Sequence, residues 1–267
     1  MSPPSTADAA AVLLVGHGTR SQRGRSQFLT LAEQVRAGMS LPVEPAFLEL
    51  AGPTIDEGVE RLLSAGIDRL VVAPLLLFAA GHAKDDVPAA VAQALSRCGA
   101  AHLPVCQAGH FGCHPLLLEL AHRRLTEAIG DRAAVPAERT LLIVVGRGST
   151  DESATAEMHD FANLLAARAG VSNLRVAFLA MAQPLLDSVL AEVDRHVMER
   201  VIVQPHLLFH GELVERLHRL TQDAAAEQPG QEWIVTGLLA EESGGQCRGM
   251  ELLTAATIDV IGRSLSS

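Results

Sequence analysis

His17 and His82 each stand just past a short apolar run, in Leu13-Leu14-Val15-Gly16-His17-Gly18-Thr19-Arg20 and in Pro74-Leu75-Leu76-Leu77-Phe78-Ala79-Ala80-Gly81-His82-Ala83-Lys84-Asp85-Asp86. A further stretch that reads as a strand, at 43–48, ends at Glu49. Imidazole nitrogen binds first-row divalent metals, and neutral histidine is available near pH 7. Two histidines and a carboxylate make an incomplete shell, with positions left for water or for a substrate that is itself a ligand. Such a site could hydrolyse a bound molecule, or it could hand its metal on.

The chain repeats this framework without the ligands. Gly16 and Gly18 recur as Gly146 and Gly148, 130 residues later. Phe47, Pro53 and Asp56 recur as Phe178, Pro184 and Asp187 at an offset of 131, and Arg69, Pro74 and Phe78 recur as Arg200, Pro205 and Phe209 at the same offset. An offset that drifts so little over a half-chain marks a duplication. At the aligned positions of the second copy stand Arg147 for His17, Ala180 for Glu49 and Leu213 for His82. A tight Gly-His-Gly turn could hold a structural histidine. Joint loss of all three side chains, while glycines, prolines and phenylalanines persist, points instead to chemistry confined to the first copy.

The elements that must position these residues alternate between strand and helix. Residues 11–15 are continuously apolar, as in a strand buried on both faces. Phe28, Leu31 and Val35 then recur at helical spacing over 27–39, and 43–48 reads as a second strand. Ile55, Val59, Leu62 and Leu63 mark a helical face that stops at Gly66, and 70–77 reads as a third strand bent or ended by Pro74. Val87, Val91 and Leu95 mark another helix with Asp86 as its cap, followed by a strand at 103–106 and a helix at 115–129. The expected fold is α/β: two tandem flavodoxin-like domains, each a parallel sheet with helices on both faces. The expected division is 1–130, a linker at 131–139 containing Pro136, and 140–267 as a degenerate repeat. Ligands bind such sheets beyond the carboxyl ends of the strands, where His17, Glu49 and His82 all fall.

Bulk properties exclude other classes. The 267 residues are 48% hydrophobic and 19% charged, which suits compact folded domains. A net charge of −10 argues against nonspecific nucleic-acid binding. No apolar run is long enough to span a bilayer, and the first residues lack a signal-peptide pattern, so a cytoplasmic protein with no membrane partner is expected. Cys98, Cys106, Cys113 and Cys247 form no C-x-x-C pair, which speaks against a zinc ribbon, a disulfide framework or an iron–sulfur site. A second cluster, Cys106, His110, Cys113 and His114 with His102 nearby, has spacing that could bind a borderline metal. His206 and His210 read as structural or cleft-lining residues.

The segments 15–20 and 74–86 closely resemble the signatures of sirohydrochlorin chelatases, and the two-repeat length resembles the long CbiX-type cobaltochelatases of the class II chelatase family. The resemblance spans nearly the whole chain. It implies ATP-independent insertion of a divalent metal, Co²⁺ first and Fe²⁺ or Ni²⁺ as alternatives, into sirohydrochlorin on the way to cobalamin. It further implies that His17 and His82 serve metal binding and proton removal, with Glu49 as the nearby acidic residue. No cofactor beyond the substrate metal is expected. Sirohydrochlorin carries many carboxylates, so cations should flank the site: Arg20 and Arg23, with Arg25 beside them, Lys84, the sole lysine, and Arg147 from the second copy. A helix starting near Asp86 would add backbone N–H groups for a carboxylate. The substrate is expected in a cleft between the halves of a monomer. Long relatives often carry a histidine-rich tail, whereas 244–267 holds no histidine. The remaining alternatives are a sirohydrochlorin ferrochelatase, a non-enzymatic metal or tetrapyrrole carrier, and a metal-dependent hydrolase.

Overall fold

The computed structural model describes residues 9–78, 81–194, 196–241 and 249–265, apart from the side chains of 81–84. In the first repeat, β1 (Ala10–Gly16) is buried along its whole length and pairs in parallel with β2 (Val43–Phe47) and β3 (Arg69–Pro74). With β4 (Val105–Gln107) these strands form a sheet of order β2-β1-β3-β4. That is the flavodoxin-like order with β1 inside and the switch point between β1 and β3. The second repeat builds β5 (Thr140–Gly146), β6 (Asn173–Phe178), β7 (Arg200–Pro205) and β8 (Glu232–Val235) into the same order, β6-β5-β7-β8. Two parallel α/β sheets, as expected, are thus present.

Between β1 and β2 runs α1 (Gln22–Gly38), whose apolar face buries Phe28, Leu31, Ala32 and Val35. Its N-cap Ser21 accepts from the Gly24 N–H at 3.3 Å, so it starts five residues before the expected position. Next comes α2 (Ile55–Ser64), opened by a capping box in which Thr54 and Glu57 each satisfy the other's backbone N–H. On the same sheet face lies α3 (Gly81–Arg97), where Val87, Val91, Ala94 and Leu95 pack with Val59, Leu62, Leu13 and Val72. The expected cap at Asp86 is corrected: α3 already runs from Gly81, and Pro88 lies inside it. Asp86 therefore marks no free helix N-terminus for a carboxylate. The first turns of α1 and α3 carry no apolar period, so periodicity places both starts too late. Among the described residues no helix is long and apolar enough to cross a membrane.

The chain divides into two compact units that do not coincide with the two repeats. Unit 1 is residues 1–111 with 254–267; unit 2 is residues 112–253. The helix that closes the first repeat, α4 (Pro115–Ile129), therefore belongs to unit 2, and most of α8 (Gly249–Leu265), which closes the second, belongs to unit 1. The linear division at 131–139 marks the repeats of the sequence; the exchange of terminal helices sets the packing.

In unit 1, Thr254 donates to the Gln34 amide oxygen at 2.9 Å, and Gly38 admits the Ile258 side chain where a Cβ would press on it. In unit 2, α4 packs beside α5 (Glu152–Ala169). Glu119 of α4 accepts from Arg123 at 2.7 Å and pairs with Arg168 of α5; these guanidiniums hold its carboxyl below the ordinary value. Arg124, 1% exposed in its side chain, donates to the carbonyls of Leu239, at 3.3 Å, and Glu241. Its burial is tolerable because those carbonyls and Glu127, at 3.3 Å, compensate the charge. On the other face of this sheet, α6 (Leu186–Ala191) and α7 (Glu212–Glu227) cover Val145, Ala177, Val201 and Val203.

His206 follows β7 and is fully buried, its ring 4.1 Å from that of Phe161. Burial pushes its pKa down to about 3, so the imidazole is neutral and fills core volume. This fits the structural role expected for it; the first repeat has Leu75 at the aligned position.

Two outcomes follow from this packing. Arg124→Ala leaves two carbonyls without their donor and opens a cavity, and should lower the urea unfolding free energy by about 3 kcal/mol. For His206 the folded pKa lies below the unfolded one, so the unfolded chain binds the extra proton. Stability is lost as pH falls from about 6.5 towards 3. His206→Leu should therefore reduce the stability difference between about pH 7.5 and pH 5 by about 2 kcal/mol relative to the parent chain.

Candidate metal-binding site

Parallel pairing of β1 and β2 continues past their ends. The Leu48 N–H donates to the Gly16 carbonyl at 2.9 Å, and the Glu49 N–H donates to the His17 carbonyl at 3.1 Å. Just past these bonds the chain crosses itself so closely that a Cβ on Gly18, at φ 109°, would overlap the Glu49 carbonyl oxygen. Glycine is thus required at 18 by contact as well as by conformation. The second repeat has the same crossing: Leu179 and Ala180 donate to Gly146 and Arg147, and a Cβ on Gly148 would overlap the Ala180 carbonyl.

The crossing brings the first two expected ligands together. His17 Nε2 lies 3.2 Å from Glu49 Oε1, and both side chains are about half exposed, at 50% and 52%. Two donor atoms each about 2.1 Å from one divalent ion stand about 3.0 Å apart at a right angle and about 3.4 Å apart in a tetrahedron. A single ion fits between these atoms with little rearrangement. Glu49 faces the imidazole directly, and their half exposure in water makes that pairing weak. Glu49, expected from its place at a strand end, is thus brought beside His17.

After Glu49 the chain makes a γ-turn: the Ala51 N–H donates back to the Glu49 carbonyl at 2.7 Å, with Leu50 between them at φ 61°. Such turns are rare and strained, and a non-glycine residue held there costs about 1–3 kcal/mol. Phe47 then bonds the Pro53 carbonyl at 2.7 Å, closing 48–53 into a compact loop ahead of α2. Periodicity gives no sign of this turn.

The other expected site residues fall as follows. Arg20 lies in the loop after β1 and Arg23 in the first turn of α1, both exposed. Arg147 is exposed after β5, at the position in unit 2 that His17 takes in unit 1. His82 and Lys84 begin α3 in sequence, but their side chains lie outside the described residues. Arg25 lines a different feature, an open groove of about 640 Å³ with Arg36, Arg61 and Glu44, on the outer side of β2. Glu44 answers both Arg36, at 3.2 Å, and Arg61, at 3.5 Å.

The cysteine–histidine cluster does not assemble as a metal site; among the described residues no group of three or more such side chains converges. His114 is spent as the N-cap of α4, its Nδ1 accepting from the Leu116 N–H at 3.2 Å. Burial, then Asp160 and Glu157, push the Cys113 thiol up and away from the thiolate a metal would need. Cys106 points to the Ser264 carbonyl.

This arrangement has relatives of known kind. The CbiX family model matches residues 11–128 and again 141–244. A sirohydrochlorin ferrochelatase of Priestia megaterium is 31% identical over 239 residues, covering 88% of this chain and 85% of the relative. A sirohydrochlorin cobaltochelatase of the same organism is 29% identical over 227 residues, covering 85% and 73%. The structure of SirB from Bacillus subtilis with Fe³⁺ superposes with a TM-score of 0.77 at 27% identity, covering 96% of this chain and 95% of that one. With one match in each repeat, the chain belongs to the CbiX family, in its two-repeat form.

Proposed function

We propose that this protein inserts a divalent metal ion into sirohydrochlorin without ATP and without a resident cofactor. Cobalt is the proposed metal, cobalamin precursor synthesis the setting, and a cytoplasmic monomer the acting form. The observation that carries the reading is the His17–Glu49 pair at adjacent strand ends, in a repeat whose duplicate keeps the loop crossing and loses both side chains. Relatives named for sirohydrochlorin chelation support the substrate.

The chemistry asks for what this pair offers. Metal insertion moves the ion from protein ligands to four ring nitrogens and releases two pyrrole N–H protons. A half-exposed imidazole and a carboxylate bind the ion through few bonds, so it can leave, and either group can then accept a proton. His82 is proposed as the third ligand or proton acceptor. Arg20, Arg23, Lys84 and Arg147 are proposed to hold substrate carboxylates.

Iron is the second reading, favoured by the ferrochelatase relative and the Fe³⁺ complex of SirB. Nitrogen and oxygen ligands do not separate Co²⁺ from Fe²⁺ or Ni²⁺. The deciding experiment is anaerobic multiple-turnover insertion, followed by absorbance, with the three metals side by side. Cobalt should give the highest kcat/KM; iron in front would move the assignment to siroheme synthesis, and stoichiometric binding without turnover would make the protein a carrier. His17→Ala, Glu49→Ala and His82→Ala should each lower insertion by about 100-fold or more with the unfolding midpoint unchanged. Wild-type rates in His17→Ala and His82→Ala would overturn the site.

The two glycines offer a matched control. Gly18→Ala and Gly148→Ala should each cost about 2–4 kcal/mol of stability, because both force a Cβ onto a carbonyl. Only Gly18→Ala should also weaken Co²⁺ binding, measured by titration at a temperature where both variants remain folded.

A further inference from the structure

Leu50 sits where a leucine is expensive twice over. Its φ of 61° lies in the region that favours glycine, and its side chain is 53% exposed. The turn itself does not call for an apolar residue, since glycine would satisfy the backbone without strain and leave no apolar surface in water. The second repeat repeats the anomaly: Met181 has φ 62°, is 45% exposed, and follows the same bond from Ala182 N–H to the Ala180 carbonyl. There the carboxylate is gone, yet the strained turn and its exposed apolar side chain remain. Their persistence is thus independent of metal ligation.

We infer that Leu50 is a substrate-binding residue, presented by the γ-turn as an apolar contact for the face of a flat macrocycle whose metal comes from His17 and Glu49. This rests on the reading of sirohydrochlorin as substrate. Three placements carry it. Leu50 follows Glu49 directly, so its side chain and the ion share one loop. The loop is anchored at both ends, by Glu49 N–H to the His17 carbonyl and by Phe47 N–H to the Pro53 carbonyl, which limits the freedom lost on binding. A tetrapyrrole combines charged substituents at its rim with an apolar ring, and arginines alone would leave that ring without a partner.

The test is equilibrium binding of metal-free sirohydrochlorin to the full chain, followed by absorbance, alongside Co²⁺ titration and thermal unfolding. Leu50→Gly removes the contact and relieves the strain; Leu50→Asn removes the contact with a residue that tolerates positive φ. Both should weaken macrocycle binding tenfold or more, with Co²⁺ binding unchanged and, for Leu50→Gly, a melting temperature at or above that of the parent. Leu50→Met should restore the affinity. Parental affinity in Leu50→Gly and Leu50→Asn overturns the inference, as does a loss of Co²⁺ binding equal to the loss of macrocycle binding. A parent chain that binds the macrocycle through Leu50 but never turns over contradicts the chelatase reading and leaves this one standing.

Discussion

Everything distinctive about this chain depends on a backbone crossing at Gly18. Two hydrogen bonds carry the β1–β2 ladder one step beyond its strands, and residue 18 must pass over the Glu49 carbonyl to let them form. The side chains that flank the crossing are brought side by side whatever they are. In the first repeat they are histidine and glutamate, 3.2 Å apart. In the second they are arginine and alanine, on the same frame. The frame is a property of the fold, and the chemistry is a property of two side chains placed on it.

That separation explains why the site is so open. A buried imidazole in this protein loses its basicity, as His206 does against Phe161. His17, by contrast, stands half in water beside the Glu49 carboxylate. For the proposed metal insertion, a weakly organised pair serves transfer to a second ligand better than a closed four-ligand shell.

Packing is organised on a different scale from the duplication. Each repeat ends in a helix that belongs to the other compact unit, so neither repeat owns all the surface that covers its sheet. Arg124 shows the consequence: carbonyls of Leu239 and Glu241, more than a hundred residues away, join Glu127 in compensating its buried charge.

Much of this was legible in the amino-acid order. Short apolar runs alternating with helical periods set the parallel α/β class, and the duplicated glycines, prolines and phenylalanines located the repeats. Selective loss of His17, Glu49 and His82 in the second copy singled out a candidate site, with Glu49 expected there from its place at a strand end. The starts of α1 and α3 were hidden because their first turns carry no apolar period. The cysteine–histidine spacing suggested a metal site, but His114 went to a cap and Cys113 was pushed away from its thiolate form. Only tertiary structure decided the 3.2 Å meeting of His17 with Glu49, the γ-turn at Leu50 and the exchange of terminal helices. The first and last of these rest on contacts between residues far apart in the chain. Local propensity and periodicity record which face of an element is buried, and they do not record what buries it.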